Sequence, residues 1–203
     1  MERTEPELEA AAAVGLLAGW WAEPCAEDFQ AWLDPERWVV AEAAWASLDL
    51  TSPKDDLVAA LGSTYETLAE EHQRLFEGPG AHPCPPYESV WRTDRSRLVQ
   101  GTVMGPAASA VKALYEELGL RVREGSHELP DHLAIELEAL ACALAEGRPD
   151  AARALLHEHL LGWVPGFCER VAAESRHPFY RAVAAITPTL LSAVAGALDA
   201  GVR

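Results

Sequence analysis

Strand signals are missing from this chain. No run alternates Val, Ile, Thr or Tyr with polar residues, and Ala, Leu and Glu dominate the 203 positions, which argues against a sheet-built fold. Basic residues are scarce: 16 Lys and Arg stand against 32 Asp and Glu, a formal net charge of −16. Phosphate binding needs clustered cations, so nucleic acid is not expected as a partner. A field of this sign suits solubility and favours a cationic partner. Cysteine is sparse. Cys25, Cys84, Cys142 and Cys168 form no C-x-x-C pair, which argues against a zinc ribbon or a thioredoxin-like site and fits reduced thiols. Cys142 and Cys168 sit in apolar helical patterns and are expected in the core.

Targeting and membrane signals are absent as well. The apolar run at residues 10–22 is preceded by Glu2, Glu5, Glu7 and Glu9, acidic where a signal peptide carries positive charge. No stretch reaches the ~18 apolar residues of a membrane span, so a cytoplasmic chain without stable membrane insertion is expected. Catalytic signatures are also lacking. Ser89 has no G-x-S-x-G elbow and Gly78-Pro79-Gly80 no following G-K-[ST]. His157 and His159 are two apart, unlike the H-E-x-x-H pair that shares one zinc. Asp131-His132 has the residue types of an acid–base pair, but adjacent helical residues diverge and no nucleophile accompanies them.

What is present is helix punctuation. Helices are expected over about residues 6–21, with Leu8, Val14, Leu17 and Trp21 along one side, and over about 27–33. Asp34-Pro35 opens a third, carrying Trp38 and Trp45. Ser52-Pro53 opens a long one running to residue 76. Further helices are expected over 106–118, closed by Gly119, over 130–146, closed by Gly147, and over 149–161, 165–174 and 178–198. Pro188 is expected to kink or split the last. The expected fold is an all-α, single-domain helical bundle of about 9–11 helices. A Gly/Pro-rich loop at 77–90 separates an N-terminal helix group (1–76) from a C-terminal group (91–203). Trp20, Trp21, Trp32, Trp38 and Trp45 read as core or groove lining.

That loop is the most distinctive stretch: Leu75-Phe76-Glu77-Gly78-Pro79-Gly80, then Pro83-Cys84-Pro85-Pro86-Tyr87-Glu88-Ser89-Val90. Closely spaced Gly and Pro make a stiff, shaped connection. Leu75 and Phe76 either pack inward or line a groove beside it. Pro85, Pro86 and Tyr87 offer rigid apolar surface with one polar tip. Glu88 and Asp131 are carboxylates suited to bidentate pairing with guanidinium, and Asp131 equally suits capping at the start of its own helix.

These motifs resemble the TorD/DmsD family of redox-enzyme maturation chaperones. Supporting matches follow in order: Met104-Gly105, Tyr115-Glu116-Glu117-Leu118-Gly119-Leu120, Glu128-Leu129-Pro130-Asp131-His132-Leu133, His159-Leu160-Leu161-Gly162-Trp163-Val164-Pro165 and Pro178-Phe179-Tyr180. The similarity covers roughly residues 65–182. It implies a cytoplasmic chaperone, not an enzyme and without a cofactor of its own. Such a chaperone binds the catalytic subunit of a molybdopterin oxidoreductase and its twin-arginine signal peptide, and holds the precursor for cofactor insertion. By motif, the implied peptide-binding residues are Leu75, Phe76, Pro86, Tyr87, Glu88, Ser89, Gly105, Glu128, Pro130, Asp131 and His132. His72 stands where family members often carry an aromatic. Alternatives are a NarJ-like assembly chaperone for a subunit without a signal, or a metal-dependent hydrolase using His127, His132, His157 or His159. A monomer or a domain-swapped dimer is compatible with the central loop.

Overall fold

The computed structural model describes residues 5–62, 64–77, 84–92, 106–120 and 129–201. Among them are eleven α-helices and no strand. The order is α1 (Glu5–Trp21), α2 (Ala26–Trp32), α3 (Pro35–Ser47), α4 (Lys54–Ala60), α5 (Tyr65–Phe76), α6 (Glu88–Trp91) and α7 (Pro106–Leu118). Then come α8 (Leu133–Ala145), α9 (Pro149–Ala154), α10 (Val164–Glu174) and α11 (Pro178–Ala200).

Several ends follow local chemistry. Asp34 caps α3 by accepting the Glu36 amide at 3.0 Å. Gly119 and Gly147 terminate α7 and α8 at φ +71° and +65°, backbone angles that cost a side chain more than a glycine. Three elements depart from expectation: α6 begins at Glu88, inside the stretch expected to be loop, and two expected helices change form. The long helix expected up to residue 76 is instead α4 and α5. The Gly62 amide turns back to the Ala59 carbonyl at 3.2 Å, and Thr64 is extended (φ −81°, ψ 159°) at the start of α5. Gly weakens a helix interior and Thr favours its start. The helix expected over 149–161 is α-helical only to Ala154. It widens into a π-turn at Leu155–His159 and tightens to 3₁₀ at Leu160–Gly162.

α1 lies along α8 and also packs on α3 and α11; α11 further contacts α4 and α10, while α6 sits between α7 and α10. Helices from both sides of the central loop thus share one core. Val14, Leu17 and Trp21 of α1 are buried, whereas Leu8 is exposed. α1 meets α8 at Gly15, where a Cβ would lie 3.9 Å from the Ala141 Cβ, ordinary van der Waals contact. The indole of Trp21 donates to Thr187 Oγ1 at 3.0 Å, tying α1 to α11. All five N-terminal tryptophans are core residues, with Trp20 stacked on Trp38 at 5.7 Å and Trp32 on Phe179 at 5.5 Å. Cys168 is buried as expected, but Cys142 is exposed, because it falls on the outer side of α8.

α11 runs unbroken through Pro188, so the expected split does not occur. By length and composition it is also apolar enough to cross a bilayer, contrary to the sequence expectation. Its Leu190, Leu191 and Val194 are buried within the bundle. The α10–α11 turn is fastened from α5. Glu71 Oε1 accepts from Ser175 Oγ and from the amides of Arg176 and His177, while Arg74 donates to both carboxylate oxygens at 2.7 and 2.9 Å.

Burial alone would raise the Glu71 carboxyl, yet Arg74 and these amides together bring it down to about 2. A depressed carboxyl stabilises the fold above its unfolded value near 4.5, and that contribution is lost as pH falls toward about 2. Glu71→Gln is expected to lower unfolding free energy by about 2–3 kcal/mol at neutral pH. The deficit relative to wild type should shrink between pH 4.5 and 2 in denaturant melts. An unchanged midpoint at neutral pH would contradict this role.

Candidate functional site

The loop motif and the segment before α8 meet in the structure. Tyr87 and His132 form an isolated antiparallel bridge. Around it, the Glu88 amide donates to the Asp131 carbonyl and the Leu133 amide to the Pro86 carbonyl, both at 2.9 Å. Prolines at 85 and 86 hold the chain extended into this pairing, and their missing amides waste no donor there. Asp131 Oδ2 then accepts the Ser89 amide at 3.0 Å. It therefore caps α6, forty-two residues away in sequence, while α8 is capped by His132, whose Nδ1 accepts the Ala134 amide at 3.2 Å. Capping of its own helix, one sequence reading of Asp131, is corrected accordingly.

Glu88 is the centre of the junction and is fully buried. One carboxylate oxygen takes Arg92 Nη1 from the next turn; the other faces His159 Nδ1 at 2.8 Å. The π-turn carries His159 to this point, and the Glu158 carbonyl beside it accepts Arg92 Nη1 at 2.7 Å. The wider pitch at Leu155–His159 shifts His159 from the position a regular α-helix would give it. Below lies Glu136 of α8, also fully buried, receiving the Trp163 indole at 3.4 Å. Burial, reinforced by the charge of Glu88 and opposed by the Trp163 bond, pushes the Glu136 carboxyl well above the ordinary range. Tyr115 seals the flank. Its hydroxyl donates to the Pro130 carbonyl at 2.9 Å, and burial followed by the charge of Glu136 drives its pKa sharply upward.

The sequence-predicted residues divide by position. Leu75 and Phe76 pack inward, Phe76 edge-on to Trp21 and Tyr180. Pro86, Glu88, Ser89, Asp131 and His132 are buried in the junction, while Tyr87 and Pro130 are half-buried at its surface. Gly105 and Glu128 lie outside the described residues, as do Gly78, Pro79 and Gly80. Sequence reasoning missed Arg92, Glu136 and His159. A charged residue four after Glu88 was the available signal for Arg92; His159 opens a family motif with no junction role attached, and nothing local assigns Glu136 a part. His72 is buried against Phe76 and Tyr180, and burial lowers it to about 3, with nearby His132 adding to the shift. Near-surface apolar groups complete the picture. Pro85, Val90 and Trp91 are half-buried, and the Trp91 indole donates to the Pro85 carbonyl at 2.6 Å. The arrangement offers a rigid apolar face over a buried ionic layer. The histidines do not converge on one point: His157 is exposed beside Asp199, and His132 and His159 serve the junction. Among the described residues no group of three or more His, Cys, Asp or Glu is placed to hold a metal ion; His127 lies outside them.

Two outcomes follow from this geometry. Asp131→Ala should cost about 1–3 kcal/mol by orphaning the Ser89 amide, and that amide should lose protection in hydrogen exchange. Glu136→Gln keeps the shape without the charge. A carboxyl raised in the folded state weakens folding progressively as pH climbs past its unfolded value. The variant should therefore match wild type near pH 4 and be more stable near pH 7 in thermal melts. Equal stability at both would contradict a protonated Glu136.

Comparison with known proteins places these features. The family model described as nitrate reductase delta subunit matches residues 42–169. A Tat proofreading chaperone DmsD from Salmonella typhi is 34% identical over 128 residues, covering 62% of this chain and 60% of the relative. A chlorate reductase assembly chaperone from Ideonella dechloratans is 35% identical over 121 residues, covering 53% and 59%. A chaperone protein TorD from Vibrio cholerae is 30% identical over 128 residues, covering 58% and 56%. The matched stretch thus spans about 60% of the first of these relatives. A solved structure from Archaeoglobus fulgidus, described as a redox enzyme maturation protein, aligns with TM-score 0.56 at 21% identity, covering 95% of this chain and 96% of that one; it supports the all-α fold. With the family model matching well over half of its length, the chain belongs to the nitrate reductase delta subunit family, which here takes in the TorD and DmsD chaperones it resembles.

Proposed function

We propose that this protein is a maturation chaperone. It binds the precursor of a molybdopterin-containing oxidoreductase through its twin-arginine signal peptide, and holds it in the cytoplasm for cofactor insertion before export. The observation that carries this reading is the junction. Motif segments far apart in sequence are bonded together, and they leave Tyr87, Pro130, Pro85 and Trp91 at the surface over buried acid groups. Aromatic and proline surface gives apolar contact at low entropic cost, which suits the apolar core of a signal peptide. The net charge of −16 steers a cationic segment toward the protein. Relatives named for Tat proofreading and reductase assembly agree with this role. Within the site, Tyr87 and Pro130 make direct contact, while Pro86, Glu88, Ser89, Asp131 and His132 act by holding the surface in shape. Leu75 and Phe76 support it from the core, and Gly105 and Glu128 remain assigned by motif.

A second reading, assembly of a subunit that carries no signal, draws on the family's description as a nitrate reductase subunit. Calorimetric titration separates the two. A twin-arginine signal peptide should bind with Kd on the order of 1 μM, about −8 kcal/mol. Tyr87→Ala should weaken it by about tenfold. Binding of the full catalytic subunit without any binding of its leader would favour the second reading.

A further inference from the structure

Arg92 occupies a seat built for a guanidinium. Two acceptors meet its Nη1: the carboxylate of Glu88 and the Glu158 carbonyl at 2.7 Å. Glu88 is fully buried, whereas the Arg92 side chain is 30% exposed. A carboxylate sealed in the fold is thus covered on its outer side by one partly solvated arginine. His159 holds the opposite oxygen, so Glu88 stays oriented whether or not Arg92 is in place. The seat is also shaped by backbone. Where the π-turn tightens to 3₁₀, the Trp163 amide bonds Leu160 rather than reaching Glu158, and the Glu158 carbonyl points at the guanidinium. Arg92 closes α6, whose Trp91 and preceding Tyr87 belong to the apolar face described above.

We propose that Arg92 is an internal stand-in for a client arginine: an autoinhibitory latch over a guanidinium-accepting subsite formed by Glu88 and the Glu158 carbonyl. The inference rests on the signal-peptide reading and adds its regulation. An incoming arginine takes the same two acceptors, and Arg92 swings to solvent. Exchange of one guanidinium for another leaves the buried carboxylate paired throughout, avoiding the heavy cost of an uncovered charge. Both contacts leave from one nitrogen, so guanidinium is favoured over ammonium because it is the more weakly hydrated cation at a buried carboxylate. The latch also sets affinity, since the incoming arginine must outcompete Arg92 and its Kd is raised by the strength of that internal contact. A client without arginine gains nothing from displacing it.

The test compares wild type with Arg92→Ala, using a signal peptide with its arginine pair and one with alanines in their place. Calorimetry should show the arginine peptide binding about tenfold tighter to Arg92→Ala, with the alanine peptide unchanged. A parallel arm needs no client. Low-millimolar methylguanidinium should raise the melting temperature of Arg92→Ala more than methylammonium does, and leave wild type unmoved. If Arg92→Ala folds poorly, Arg92→Lys should show a smaller gain of the same kind. Unchanged or weaker arginine-peptide binding, or an equal gain for both peptides, overturns the latch. Methylguanidinium stabilisation without any peptide binding would overturn the signal-peptide reading while leaving the guanidinium seat. Its absence overturns the seat whatever the peptides do.

Discussion

A carboxylate with no access to water must be matched from within the fold, and Glu88 is matched by groups from two separate stretches of chain. Arg92 comes from its own helix and His159 from the π-turn after α9, while the Glu88 amide reaches across to the Asp131 carbonyl. Each partner is in turn constrained. Asp131 caps the helix that Glu88 begins, and the Glu158 carbonyl accepts from Arg92. Breaking a buried pair of this kind leaves an uncompensated charge, which costs far more than the pair contributes over an apolar replacement. The junction therefore specifies one arrangement of the chain more than it adds stability.

The consequence is a surface whose shape is set from below. Tyr87 packs edge-on against the His132 ring at 5.2 Å, and the Trp91 indole reaches back to Pro85. Turning either aromatic would break one of these contacts, so the apolar face is held before any partner arrives. Preorganised contact surface loses less entropy on binding. A chaperone that must bind and later release depends on that economy, because moderate affinity then comes from few contacts.

Much of the fold was legible because helix termini announce themselves locally. Asp34-Pro35, Gly119 and Gly147 do what their chemistry dictates, and the expected helices begin and end near them. The failures differ in cause, the first local and the other two tertiary. Gly62 and Thr64 break a helix that apolar spacing alone would continue. The π-turn sets His159 against Glu88, seventy-one residues earlier in sequence. Asp131 read as a cap for its own helix, yet it serves another. Such roles depend on partners that only the tertiary structure supplies. The site itself was half legible: the motif residues converge as a group, but most work from inside, and His159 and Glu136 carry no local sign of their part.

Hydrogen exchange on the intact protein, with and without a twin-arginine signal peptide, tests the central claim most directly. The account predicts new protection confined to residues 84–92 and 129–133, the two segments that the junction joins. Binding that protects other helices and leaves both segments unchanged would contradict it.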